Sequence, residues 1–346
     1  MKSRMRLLLS AVIAVILIIF TADFGLNAGK QSKIKSEEVR EAAQSQVVVQ
    51  DFIHDNYVIS ERNPWTDYDL HPVEYKESTS TFRADVKAKA AVLIDIKTKN
   101  ILYGKNMNEK RSPASTTKLM TALAVLQVMN LNSAVVVGGE VNMIAGDSSK
   151  AGFSKGQVVT VEELLNGMLI CSGNDAAYIL AKAAGREIFA NNIANEGKKF
   201  TDAQCVERFI LEMNKNVRDM KLENTHFTSP DGYDDSRQYT TASDLSKIAI
   251  QAYSNKTIAE ICKRGSYKSD TLGKTWKSTN ELLNKDSSYY YPYCMGLKTG
   301  STDSAGKCLV SVGKKDSAEC ISVVLGDSSD EQRWNDTREL LRYGLE

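Results

Sequence analysis

The stretch MGLKTGSTDSAGKCLVSVGKKDSAECISVVL, residues 295–325, decides the fold. It contains three runs, Met295–Gly300, Lys307–Val312 and Ile321–Leu325, whose β-branched content and polar boundaries predict three strands. Before it the pattern is helical. Leu119, Leu123 and Leu126 fall at helical spacing within Ser115–Met129. Thr160 with Glu163 forms a capping-box pattern that starts a helix running towards Ile170. Asn174–Ala184, Val206–Met220 and Thr241–Tyr253 predict three more helices, and Ser329–Tyr343 a closing one. Further back, Ala90–Ile96 and Asn100–Gly104 read as a hairpin about Lys97-Thr98-Lys99. Strands first, helices in the middle and strands last describe an α/β (α+β) domain. Its central antiparallel sheet is formed by both chain ends, with a helical lobe inserted between them. The absence of βαβ alternation argues against a parallel doubly wound sheet.

A chain of 346 residues has room for one large or two modest domains, and 42% hydrophobic with 25% charged residues is ordinary globular composition. With 44 Lys+Arg against 43 Asp+Glu, no global field draws in nucleic acid, so no nucleic-acid partner is expected. Three histidines, His54, His71 and His226, leave little for a His-based catalyst or metal site. Six cysteines show no CxxC or zinc-type spacing and are expected to be mostly buried thiols.

Lys2, Arg4 and Arg6 precede an apolar run from Leu7 to Phe20 broken only by Ser10. This predicts an export signal or N-terminal membrane anchor over residues 1–28, with the remainder on the far side of the membrane. No clean small-x-small cleavage site follows, which tilts the reading towards an uncleaved anchor. Between Lys30 and Asp85 there are 7 basic and 11 acidic residues, a net of −4, and Pro64 and Pro72 break any long helix. Residues 29–86 are therefore expected to be a stalk, carrying a domain over 87–346.

Three motifs carry chemistry. Ser115-Thr116-Thr117-Lys118 sets a hydroxyl and an amine one helical turn apart on one face, at a helix start where unpaired N–H groups stabilise an oxyanion. A neutral Lys can take the Ser proton, but lowering its pKa to ~7–8 takes ~4 kcal/mol, from burial or a second cation. SxxK alone proves little, since it recurs at Ser32/Lys35, Ser304/Lys307 and Ser311/Lys314. Ser172-Gly173-Asn174 lies in a loop between two predicted helices, where its side chains can relay a proton or simply cap a helix. Lys298-Thr299-Gly300 occurs once, at a strand edge where a cation and a hydroxyl can meet an anionic end group.

SxxK, SxN and KTG in this order resemble the penicillin-recognising serine acyl-enzymes. Within that group the chain is similar to the low-molecular-weight penicillin-binding proteins that act as D-alanyl-D-alanine carboxypeptidases. Ala90–Asp95, Pro113–Leu123, Glu163–Ala184, Asn224–Gly232, Thr240–Ile248, Asn280–Leu283, Gly296–Val312 and Val323–Gly344 all look like that family's segments. The resemblance implies the serine transpeptidase/β-lactamase-like fold, with Ser115 as nucleophile and Lys118 as its base. It implies Ser172 and Asn174 in proton transfer and substrate holding. Lys298, Thr299 and Arg333 are implied at the substrate's terminal carboxylate, beside Gly300, with an oxyanion hole from the N–H groups of Ser115 and Ser301. The implied substrate is a peptidoglycan stem peptide ending in D-Ala-D-Ala, with β-lactams as covalent ligands and no metal or organic cofactor.

Some features depart from the family. Residues 187–212 look long, Lys97–Asn100 lacks the expected turn glycine, and no C-terminal β-rich domain or amphipathic anchor precedes Glu346, so the N-terminal segment is expected to serve instead. A class A β-lactamase needs a Glu-x-x-Leu-Asn motif after SxN, whereas Glu162-Glu163-Leu164-Leu165-Asn166 comes before it. A catalytically silent or transpeptidase-type wall protein of the same fold stays open, while a Ser/His/Asp hydrolase finds no suitable base. Cys171 beside Ser172 is expected to pack at a helix end, and Tyr289-Tyr290-Tyr291 with Tyr293 either wall the cleft or form a half-exposed strand approach.

Overall fold

A computed structural model of the chain describes residues 70–77, 83–192, 195 and 197–346. In chain order the strands are β1 (Lys76–Glu77), β2 (Ala90–Asp95), β3 (Asn100–Lys105), β4 (Ala134–Val136), β5 (Val158–Thr160), β6 (Ser266–Lys268), β7 (Thr275–Lys277), β8 (Cys294–Thr302), β9 (Gly306–Lys315) and β10 (Ala318–Asp327). The helices are α1 (Lys118–Leu126), α2 (Val161–Leu169), α3 (Asn174–Ala190), α4 (Asp202–Asp219), α5 (Ala242–Ser254), α6 (Lys256–Cys262) and α7 (Asp330–Gly344).

The main sheet runs β1-β3-β2-β10-β9-β8, so the early hairpin and the last three strands share it. The junction is the antiparallel β2–β10 pair, in register from Cys320 opposite Asp95 to Leu325 opposite Ala90. One pairing departs from the antiparallel expectation: β1 at the edge runs parallel to β3. Strand alternation sends Ala90, Val92 and Ile94 into a large core under the helical lobe and Ala91 and Leu93 into a smaller core with Trp334, Leu340 and Leu341. Because α5 covers one face and α7 the other, these strands read as unbroken apolar runs rather than alternating ones.

Within the lobe α1 is apolar on every side, and all nine of its residues are buried. Its two polar side chains near the start, Lys118 and Thr121, both find partners, with Thr121 Oγ1 donating to the Pro230 carbonyl at 2.6 Å. The Thr160 cap forms, its side chain accepting from the Glu163 N–H. The Glu163 carboxylate instead reaches Ser269 and Thr271 in the β6–β7 hairpin. The long segment after α3 ends at a complete capping box, Thr201 with Gln204, which starts α4 earlier than the apolar spacing alone indicates.

Residues 70–77 lie on the domain rather than in a spacer. Leu70 and Val73 join the large core, and Lys76 and Glu77 pair with β3. Two apolar side chains among many charges were too few to read as structure. The remaining spacer and the leader lie largely outside the described residues, among which no helix is long and apolar enough to cross a membrane. The hairpin turn closes without its glycine, with Lys99 taking a left-handed φ of 62°. All six cysteines are free thiols, five of them buried. Tyr289 and Tyr291 pack on the smaller core beside Trp334, so they support α7 rather than wall the cleft.

Candidate active site

Ser115 sits in a 3-10 turn, Ala114–Thr117, that leads directly into α1. The turn is held from several sides. Thr116 Oγ1 donates to the Pro113 carbonyl at 2.6 Å. Ala114 is forced to a φ of 48°, a conformation that persists only where surrounding packing fixes it. Gly232, at φ 86°, presses on this turn so closely that a Cβ there would lie 1.9 Å from the Ala114 carbonyl oxygen. On the opposite side Gly300 of β8 approaches, where a Cβ would meet the Ala114 Cβ at 3.0 Å and the Ser115 nitrogen at 3.2 Å. Glycine in the KTG run is thus what lets the strand edge lie against the serine.

Lys118 lies one turn on and is fully buried. Its Nζ donates to Ser115 Oγ at 2.7 Å, to Asn174 Oδ1 at 2.7 Å and to the Asp231 carbonyl at 2.9 Å. Burial pulls its pKa down to about 8, against the opposing pull of Asp231. Lys298, also fully buried, donates to Ser172 Oγ at 3.0 Å and to the Thr299 carbonyl at 3.0 Å. Burial, and next the Lys118 charge, hold Lys298 well below the usual lysine value. Of the two sources open to Lys118, burial or a second cation, burial is the larger.

Ser172 has a φ of 61° and precedes α3, whose first residue is Asn174. The loop opposite is pinned by Asp175, which accepts N–H bonds from Ala151, Gly152 and Phe153 at 2.7, 2.6 and 3.0 Å. Thr299 pairs its hydroxyl with that of Thr279 at 2.6 Å, and Ser301 is exposed on the outer strand β8.

Arg333 is placed differently from expectation. It is buried on α7, donates Nη1 to the Gly300 and Cys308 carbonyls at 3.0 and 3.3 Å, and pairs Nη2 with Asp330. Its guanidinium is committed to the strand rather than held open for a carboxylate. Cys171 donates to the Gly167 carbonyl at 3.1 Å, and burial pushes its thiol up to about 11, a packed and unreactive state. His226 bonds the Arg237 carbonyl, which removes the triad reading of that residue.

Four contributors escaped the sequence reading: Asp175, the Asp231 carbonyl, Gly232 and Thr279. Only Asp231-Gly232 carried a signal, as a turn dipeptide.

A serine hydroxyl bonded to a buried amine, with a second buried lysine bonded to the Ser172 hydroxyl, is equipped for acyl transfer. A family profile described as D-alanyl-D-alanine carboxypeptidase, peptidase S11, matches residues 76–200 and 202–329. The chain belongs to this family. A D-alanyl-D-alanine carboxypeptidase of Streptomyces sp. strain K15 is 33% identical over 280 residues, 78% of this chain and 90% of the relative. The carboxypeptidase DacF of Bacillus subtilis strain 168 is 31% identical over 269 residues, 75% of this chain and 62% of DacF. The crystal structure of the Streptomyces K15 DD-transpeptidase superposes with a TM-score of 0.67 at 33% identity, covering 76% of this chain and 98% of that one. Family membership thus agrees with the α/β architecture and with a serine peptidase acting on the cell wall, outside the cytoplasm.

Proposed function

We propose that the chain is a serine DD-carboxypeptidase that removes the terminal D-Ala from peptidoglycan stem peptides. The observation that carries this is the 2.7 Å bond from buried Lys118 to Ser115 Oγ. With its pKa near 8, Lys118 has a substantial neutral fraction at working pH and can accept the serine proton.

Ser115 Oγ attacks the carbonyl carbon of the penultimate D-Ala while its proton passes to Lys118. The oxyanion is met by the N–H groups of Ser115 and Ser301. Collapse breaks the peptide bond, and D-Ala leaves with a proton returned through Lys118 or Ser172. Water then attacks the ester and restores Ser115. The substrate's terminal carboxylate meets Lys298 and Thr299, and its negative charge favours the charged form that burial disfavours on Lys298. A β-lactam follows the same path to a long-lived ester.

The Streptomyces relative whose structure is solved is named a transpeptidase. An amine acceptor in place of water is therefore the second reading. Residues 1–28 are proposed to export or tether the enzyme, with a spacer following. Recovery of the full chain in the membrane fraction supports an anchor.

Free D-Ala released from a pentapeptide ending in D-Ala-D-Ala, by the full chain but not by Ser115→Ala, supports the assignment. Consumption of the pentapeptide only when an amine is added moves it to transpeptidation.

A further inference from the structure

Behind the substrate-facing strand lies a second buried polar centre that the reaction scheme does not use. Asp327 ends β10, and Asp336 lies on α7. Both are buried, with Asp327 1% exposed and Asp336 4%. Asp336 accepts backbone N–H bonds from Lys87 and Ala88 at 2.6 and 2.7 Å. Asp327 faces Asp336 within hydrogen-bonding reach, yet neither of its carboxyl oxygens has a donor. Two carboxylates cannot bond each other, because both only accept. The two N–H donors suit the carboxylate of Asp336, so Asp327 is the partner that must bring the hydrogen.

Arg333 completes the centre. Its Nη1 holds the Gly300 carbonyl, while its buried Nε has no partner. The peptide group is planar and trans, so its C=O and N–H point in opposite directions. Fixing the Gly300 carbonyl from behind therefore aims the N–H of Ser301 the other way, where the proposed scheme needs an oxyanion donor.

We propose that Asp327 and Asp336 share one proton and thereby hold Arg333 on the Gly300 carbonyl, making all three positioning residues for the Ser301 N–H. While Asp327 is neutral, the guanidinium stays on the strand. Once it ionises, the new anion competes with the Gly300 and Cys308 carbonyls for Arg333. The other groups facing Asp327 are Lys105 on β3 and, on β9, the Cys308 thiol and Lys307, its register partner, which also bridges to Asp330 at 3.4 Å. Burial, and next Asp336, raise Asp327 to about 8. It therefore carries its proton at neutral pH and loses it in alkali.

The catalytic part of this inference rests on the hydrolytic reading, and the carboxyl pair does not. One pH unit above its pKa about a tenth of Asp327 remains protonated. D-Ala release by the full chain is measured from pH 6 to 9.5 for wild type, Asp327→Asn and Asp327→Ala. The Asn to wild-type ratio of kcat is expected near one at pH 6.5 and about tenfold at pH 9, with KM little changed. Asp327→Ala is expected to show the same missing alkaline fall from a lower rate.

Thermal unfolding supplies the independent arm. Between the unfolded and folded pKa values the native state holds a proton that the unfolded chain has released, so wild-type stability declines from pH 4 to pH 8. The Tm advantage of Asp327→Asn is therefore expected to grow over that range. An active wild type whose pH profile is parallel to that of both variants overturns the positioning role, and a Tm difference independent of pH overturns the shared proton. If wild type releases no D-Ala at any pH, the hydrolytic reading fails, and the unfolding comparison alone decides the carboxyl pair.

Discussion

Two like-charged pairs are buried at this sheet, Lys118 with Lys298 on the lobe side and Asp327 with Asp336 on the α7 side. Burial disfavours charge in both, but in opposite directions: it lowers the pKa of a lysine and raises that of a carboxyl. In the first pair the partners are side-chain hydroxyls and an amide, Ser115, Ser172 and Asn174, which can exchange protons with a substrate. In the second they are backbone N–H groups, with the Arg333 charge close by but bonded to the strand, and these can only hold a geometry. Similar electrostatics thus serve chemistry on one face and alignment on the other, and the bonding partners decide which.

The comparison is broken most sharply at Lys118. Lys118→Arg keeps the positive charge and removes the base, because a guanidinium stays protonated. Activity is expected to fall by about 10²–10⁴-fold, measured as D-Ala release at pH 8. The neutral amine is the active form, so kcat/KM of Asp327→Asn, which lacks the alkaline fall, is expected to rise with pH through about 8, whereas the wild-type profile bends down there as Asp327 ionises. A lysine pair that acted only structurally would give a flat profile. Lys298→Ala is the next largest effect, about 30-fold or more in kcat/KM, mostly in KM, because a carboxylate is left without its cation. A pentapeptide with its terminal carboxylate amidated is expected to erase most of that difference.

Smaller effects sharpen the geometric half. Gly300→Ala puts a methyl against Ala114 at 3.0 Å, so the nucleophile turn must shift by a few tenths of an ångström. A loss of roughly tenfold in kcat is expected, with thermal stability little changed. At the far hairpin, Lys99→Gly relieves a left-handed φ of 62°. The gain of ~1–2 kcal/mol from the backbone is partly offset by ~0.5–1 kcal/mol of chain entropy, so a small rise in Tm with unchanged activity is expected.

What was legible in the sequence follows the same division. The motifs at Ser115, Ser172 and Lys298 could be read because each is short and its spacing is set by one helix turn or one strand edge. The sheet could be read because Ala90–Ile94 and Ile321–Leu325 are apolar on both faces. The acidic pair was not legible: Asp327 and Asp336 stand on different elements, and the donors to Asp336 come from Lys87 and Ala88, 249 and 248 positions away. Asp175 and Thr279 were missed for the same reason, as their partners are tertiary. Arg333 was found by resemblance but assigned to the substrate, since only the fold shows its guanidinium turned onto the Gly300 carbonyl. Residues 70–77 looked like spacer because Leu70 and Val73 find their apolar partners only in the folded domain.

The central claim is that Ser115 forms the acyl-enzyme with Lys118 as its base. Incubating the full chain with benzylpenicillin and locating the adduct by peptide mass spectrometry tests it most directly. The account predicts one penicilloyl group on the peptide carrying Ser115, absent from Ser115→Ala and strongly slowed in Lys118→Arg. An adduct on Ser172 or Cys171, or full labelling of Lys118→Arg at the wild-type rate, contradicts it.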